Sequence, residues 1–134
     1  DSQCDSVAVG YADWRRASAP APEMVAAFAM EHAWPVLLLD TRIKDGSSLF
    51  EWLSPRTVRD LTNRCRAVGV RVALAGSLGL DHLGALRELQ PDWLAVRGAV
   101  CRHGRRDETI DPVRVTRLVD ALANLSLTPA NAAD

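Results

Sequence analysis

Apolar residues gather in four short runs: VAVGY (Val7 to Tyr11), PVLLLD (Pro35 to Asp40), VRVALAG (Val70 to Gly76) and DWLAVRG (Asp92 to Gly98). Each is apolar at nearly every position instead of alternating, the pattern of a strand covered on both faces. A helical spacing follows each run. Residues 22–32 place Met24, Val25, Phe28 and Ala29 on one stripe. Ser54 then Pro55 reads as an N-cap with proline at the first helical position, and Gly69 is the natural stop. Asp81 is predicted to cap a short helix through Leu89, ended before Pro91. Asp111 and Pro112 repeat the cap-plus-proline signal, with Val115, Leu118, Val119 and Leu122 as the buried face.

The order β-α-β-α-β-α-β-α predicts an α/β fold of parallel strands joined by right-handed crossovers. Two architectures accept four such units. One is a small open doubly wound sheet; the other is half of a (βα)8 barrel, which needs about 250 residues in full. Residues 126–134, SLTPANAAD, show no periodicity and are expected to fray, leaving 1–125 as the folded unit. Both architectures put function at the carboxyl ends of the strands. There the sequence collects Tyr11 and Asp13, then Asp40 to Lys44, then Gly76 and Ser77, then Arg97 and Gly98.

Composition narrows the partners. A chain of 134 residues is at most one domain with a real core. Its net charge is -1, and no aromatic ladder is interleaved with the scattered arginines, so nucleic acid is not an expected partner. CRHGRR (Cys101 to Arg106) is too short to change that. No apolar run approaches the roughly 20 residues that span a bilayer, and DSQCDS lacks the basic and apolar regions of a signal peptide. Cys4, Cys65 and Cys101 contain no CxxC pair and read as free thiols of a reducing cytoplasm. His32, His82 and His103 lack carboxylate or cysteine neighbours at ligand spacing, so no metal site is expected.

Lys44 is the single lysine of a chain that uses fifteen arginines. Arginine stays protonated and binds anions, whereas lysine can also act as a base or form an imine. A lysine kept just past a buried strand, four residues from Asp40, is a candidate for work that needs a proton to leave. Asp40 could orient it or relay the proton. The plainer readings are a solvated surface lysine and an Asx-turn from Asp40 to Arg42. Asp45 followed by Gly46 reads simply as a turn.

ALAGSLG resembles a relaxed nucleophile elbow around Ser77, with Asp92 and His103 following in hydrolase order. Asp92 opens its strand, however, at the opposite end of the sheet from Ser77, which excludes that triad. Gly76 and Ser77 before a helix suit a phosphate cradle, or else a tight turn without a ligand. Arg97 and Gly98 end the last run, where (βα)8 enzymes commonly bind phosphate. Arg97 would supply charge there or pair with an aspartate such as Asp40.

Taken in order and spacing, VAVGYADWRRA, LLLDTRIKDGSSLFEWL, LAGSL and PDWLAVRGAVC resemble the carboxyl-terminal half of the (5-formylfuran-3-yl)methyl phosphate synthases. The resemblance runs from about Val7 to Leu122. It implies strands five to eight of a (βα)8 TIM barrel and a cytoplasmic enzyme of methanofuran biosynthesis. That enzyme is a carbon-oxygen lyase that condenses two molecules of glyceraldehyde 3-phosphate through a lysine imine (Schiff base), with loss of phosphate and water. It implies proton-transfer and orienting roles for Lys44 and Asp40, and phosphate binding at Gly76, Ser77, Arg97 and Gly98. Neither metal nor organic cofactor is implied. The imine-forming lysine belongs to the amino-terminal half, and this chain holds no lysine besides Lys44. The expected partners are therefore a sugar phosphate and an amino-terminal half-barrel, in cis or in trans, or self-association. The alternative is a half-barrel that binds a sugar phosphate or a partner protein and catalyses nothing. Two unpaired sheet edges make a lone monomer the least attractive state.

Overall fold

The structure, a computed structural model, describes residues 4–126. Its strands are β1 (Val7–Tyr11), β2 (Val36–Asp40), β3 (Arg71–Leu74) and β4 (Trp93–Leu94). Its helices are α1 (Pro22–Glu31), α2 (Leu49–Trp52), α3 (Pro55–Ala67), α4 (Leu83–Leu89) and α5 (Pro112–Ser126). All strand pairs are parallel, and the spatial order is β1-β2-β3-β4. The order never reverses, so the sheet lacks the switch point that defines a doubly wound sheet.

Register explains which side chains meet. Ala8, Leu37 and Val72 share one row, as do Gly10, Leu39, Leu74 and Leu94. Helices α1 and α3 pack on that face, and α4 packs beside α3. Leu37, Leu39, Val72 and Leu74 are fully buried there, each worth about 1.5–3 kcal/mol of transfer free energy. A Cβ at Gly10 would meet the Pro22 backbone at 3.3 Å, which is how closely the start of α1 lies on β1.

The opposite face is different. Val7, Val9 and Trp93 are exposed, and Leu38 and Ala73 between them are only partly covered. The expectation of strands covered on both faces is corrected for the described residues: helices cover one face and leave an apolar row open on the other.

The helix termini follow the sequence closely. Ser54 Oγ accepts the Thr57 amide and Pro55 opens α3, whose end is marked by Gly69 at φ 81. Asp111 Oδ1 accepts the Val113 amide at the start of α5. Ser126, expected to begin the frayed tail, instead closes α5, and the rest of that tail, 127–134, lies outside the described residues.

Four expectations are corrected. Met24 and Phe28 are exposed, because α1 docks through the small residues Ala26 and Ala29, which let its backbone approach the sheet. Val119 is exposed, and Leu118 alone of the predicted α5 stripe is fully buried. Asp81 caps nothing: it lies inside a 3-10 turn, Leu80–His82, whose first amide, Gly79, is satisfied by His82 Nδ1. The last run gives a two-residue strand, since β4 pairs on one side only and the chain turns off into a second 3-10 turn, Gly98–Val100.

Candidate functional site

Every strand of a parallel sheet ends at the same rim, and here that rim opens into a cleft of about 800 Å³. Asp40, Lys44, Gly76, Ser77, Arg97 and Gly98, all six residues singled out from the sequence, line it together.

Asp40 is the last residue of β2. Its Oδ1 accepts the Thr41 amide at 2.7 Å and the Lys44 ammonium at 2.6 Å. The turn thus closes on Lys44, and not on Arg42 as a simple Asx-turn would. Both side chains stay partly open to solvent, 32% for Lys44 and 20% for Asp40. A reactant in the cleft can therefore reach the ammonium without displacing protein.

The loop after β3 forms the floor. Gly76 has φ 97, and a Cβ there would sit 3.2 Å from the Thr41 amide nitrogen, so glycine is required on both counts. Ser77 follows at φ 51, a left-handed non-glycine residue of the strained kind that concentrates at functional sites. The Gly76 carbonyl accepts the Leu49 amide at 2.9 Å, fastening α2 to this loop.

The last wall is arginine-rich. Arg97, Arg105, Arg106, Arg114 and Arg117 all border the cleft. Arg105 is tied to Asp107, which holds that carboxyl below its usual range, and Arg114 lies 3.9 Å from Asp111. Arg97 donates to the Arg106 carbonyl at 2.9 Å and does not pair with Asp40. Among the described residues, Arg97, Arg106 and Arg117 have no carboxylate partner. Three guanidiniums without carboxylate partners, in a cleft also lined by Gly76, Gly79 and Gly98, suit a phosphate.

Two contributors escaped the sequence reading. Arg114 and Arg117 come from the first turns of α5 and were hidden in an ordinary amphipathic pattern. Asp13, placed at this rim from the sequence, is buried and paired with Arg16.

Residues 1–119 match the family model described as 4-HFC-P synthase. The chain belongs to this family. It is 38% identical over 114 residues to the (5-formylfuran-3-yl)methyl phosphate synthase of Methanococcus aeolicus, covering 84% of this chain and 48% of that protein. Identity to the synthase of Methanopyrus kandleri is 39% over 118 residues, 87% of this chain and 50% of the relative. For the synthase of Archaeoglobus fulgidus it is 34% over 122 residues, 91% and 52%. The chain spans about half the length of the curated relatives it matches. This member of the 4-HFC-P synthase family places a lysine–aspartate pair and an arginine-rich wall in one cleft. Among the described residues no helix is long and apolar enough to cross a membrane.

Proposed function

We propose that this chain is the strand-five-to-eight half of a (βα)8 barrel and supplies part of the active site of a (5-formylfuran-3-yl)methyl phosphate synthase. The observation that carries the reading is the Lys44–Asp40 pair, 2.6 Å apart, at the rim of a cleft lined by unpaired arginines in a member of this family.

Two molecules of glyceraldehyde 3-phosphate are the substrates in this reading, joined and dehydrated with loss of phosphate to a furan aldehyde phosphate for methanofuran biosynthesis. Such a lyase-type route needs repeated proton transfers beside a lysine imine. Lys44 moves the protons and Asp40 orients it and offsets its charge, as the short contact between them supports. Gly76, Ser77, Arg97 and Gly98 hold a substrate phosphate. The imine lysine comes from an amino-terminal half-barrel, in the same polypeptide or another. That half pairs with the free edges of β1 and β4 and covers the open row of Val7, Val9 and Trp93. A second copy of this chain would close the edges yet bring only another Lys44. A cytoplasmic setting, with its reducing poise, suits the free thiols of Cys4, Cys65 and Cys101.

Lys44→Arg tests the assignment in the enzyme completed by an amino-terminal half. Turnover is expected to fall at least 100-fold, the scale of a lost general acid–base group, while phosphate binding persists. Unchanged turnover would overturn the catalytic role.

A further inference from the structure

The reading above uses Asp40 and Lys44 but leaves a second carboxylate beside them without a task. Asp13 follows β1 and is only 2% exposed. Its Oδ1 accepts the Arg42 amide at 2.7 Å and its Oδ2 accepts the Ile43 amide at 3.0 Å. These donors are the two residues immediately before Lys44, on a loop some thirty positions away in sequence. Arg16 completes the set, its guanidinium reaching Asp13 Oδ2 at 3.0 Å and Asp45 Oδ2 at 2.6 Å. Asp45 stands on the other side of Lys44. The guanidinium carbon also lies 4.1 Å over the Trp52 ring, and Trp52 Nε1 donates to Ser47 Oγ at 2.9 Å.

We propose that Asp13 is the positioning residue for Lys44: by gripping the amides of Arg42 and Ile43 it sets the loop so that the Lys44 ammonium lands on Asp40. The catalytic meaning of that placement rests on the synthase reading; the placement itself does not. The chemistry requires a carboxylate. Two converging N–H donors need two acceptor oxygens, and an asparagine has one, its amide group meeting the second N–H donor to donor. Burial by itself would raise the Asp13 carboxyl, but the Arg42 and Ile43 amides and Arg16 outweigh it and hold the group ionised, below its ordinary value. On the carboxyl side of Lys44 a local bond serves instead, Asp45 Oδ1 accepting the Ser47 amide at 3.0 Å across Gly46. What Asp13 adds is a fixed backbone on the amino side of Lys44.

Because Lys44 is the only lysine, the 134-residue chain grown with carbon-13 lysine carries one labelled side chain. Its Cε–Hε resonance reports the contact with Asp40, and Asp40→Asn defines the signal of the broken pair. Asp13→Asn, folded by circular dichroism, is expected to move the Lys44 signal most of the way to that position. Arg16→Gln is expected to move it part of the way and serves alone if Asp13→Asn does not fold. A folded variant whose Lys44 signal stays at the wild-type position overturns the proposal. In the completed enzyme Asp13→Asn is expected to lower kcat about 100-fold, the cost of misplacing a reacting group, with KM unchanged; wild-type kcat would also overturn it. The resonance needs no turnover, so a chain that makes no furan but shows the Asp13-dependent shift loses only the synthase reading.

Discussion

The Asp40–Lys44 wall of the cleft, with the β1 loop bonded to it, holds its charged groups in ion pairs, whereas the wall after β3 and β4 leaves charge uncommitted. On the first, Asp13, Arg16, Asp40, Lys44 and Asp45 each have a charged partner within 3.0 Å. On the second, Arg97, Arg106 and Arg117 face the cleft without a carboxylate, on segments that follow a two-residue strand. In the proposed reading the contrast separates two kinds of work. Proton transfer needs atoms held to a fraction of an ångström; holding a phosphate needs positive potential and tolerates looser groups.

The largest effect should come from the ordered wall. Asp40→Asn in the completed enzyme is expected to lower kcat by about 100-fold or more, with KM much less affected, read from steady-state kinetics. An equal loss in binding would erase the division between the walls. Asp13→Ala should destabilise the chain by about 1–3 kcal/mol, since amides of the β2 loop lose their acceptor, as measured by urea unfolding.

The same carboxylate gives a pH signature. A folded value below the ordinary 3.8 means that the folded state binds this proton less readily than the unfolded chain. Its stabilising contribution is therefore complete above about pH 4 and drains as pH falls through the lower folded value. Urea midpoints followed from pH 6 downward are expected to fall more steeply for the wild type than for Asp13→Asn. Parallel curves would contradict the assigned bonding.

Smaller changes are expected where the walls meet and on the looser side. Gly76→Ala forces a side chain at φ 97 against the Thr41 backbone, a cost of about 1–3 kcal/mol visible as a lower Tm. Arg97→Ala should weaken phosphate binding by roughly tenfold, consistent with about 1.4 kcal/mol, and the loss should shrink as salt is raised. Arg105→Ala should leave Tm unchanged, because its pair with Asp107 is more than half exposed on both sides.

Much of this arrangement is legible in the residues. The runs ending at Tyr11, Asp40 and Gly76 form parallel strands whose rows of Ala8, Leu37, Leu39, Val72 and Leu74 are buried under the helices. Ser54–Pro55 and Asp111–Pro112 mark helix starts through local bonds that tertiary context does not alter. The misses were non-local. Helix α1 is apolar nearly all round, and the sheet chose Ala26 and Ala29 over the larger Met24 and Phe28 because small residues permit close approach. The four-residue α2 is too short for a periodic signal; the Ser48–Glu51 capping box, the buried Leu49 and the Leu49 amide on the Gly76 carbonyl hold it. Sequence places Asp13 at the rim after the first strand but not its bonding, because its amide donors lie 29 and 30 residues away.

We propose that these two walls form one half of a synthase site. The most direct test mixes this chain with the half of the Methanopyrus kandleri synthase that it does not match, then follows both native mass and furan aldehyde phosphate formed from glyceraldehyde 3-phosphate. A one-to-one particle that makes the furan is expected, and a Lys44→Arg particle of the same mass that does not. A one-to-one particle whose turnover is indifferent to Lys44, or two halves that stay apart and inactive, would contradict the proposal.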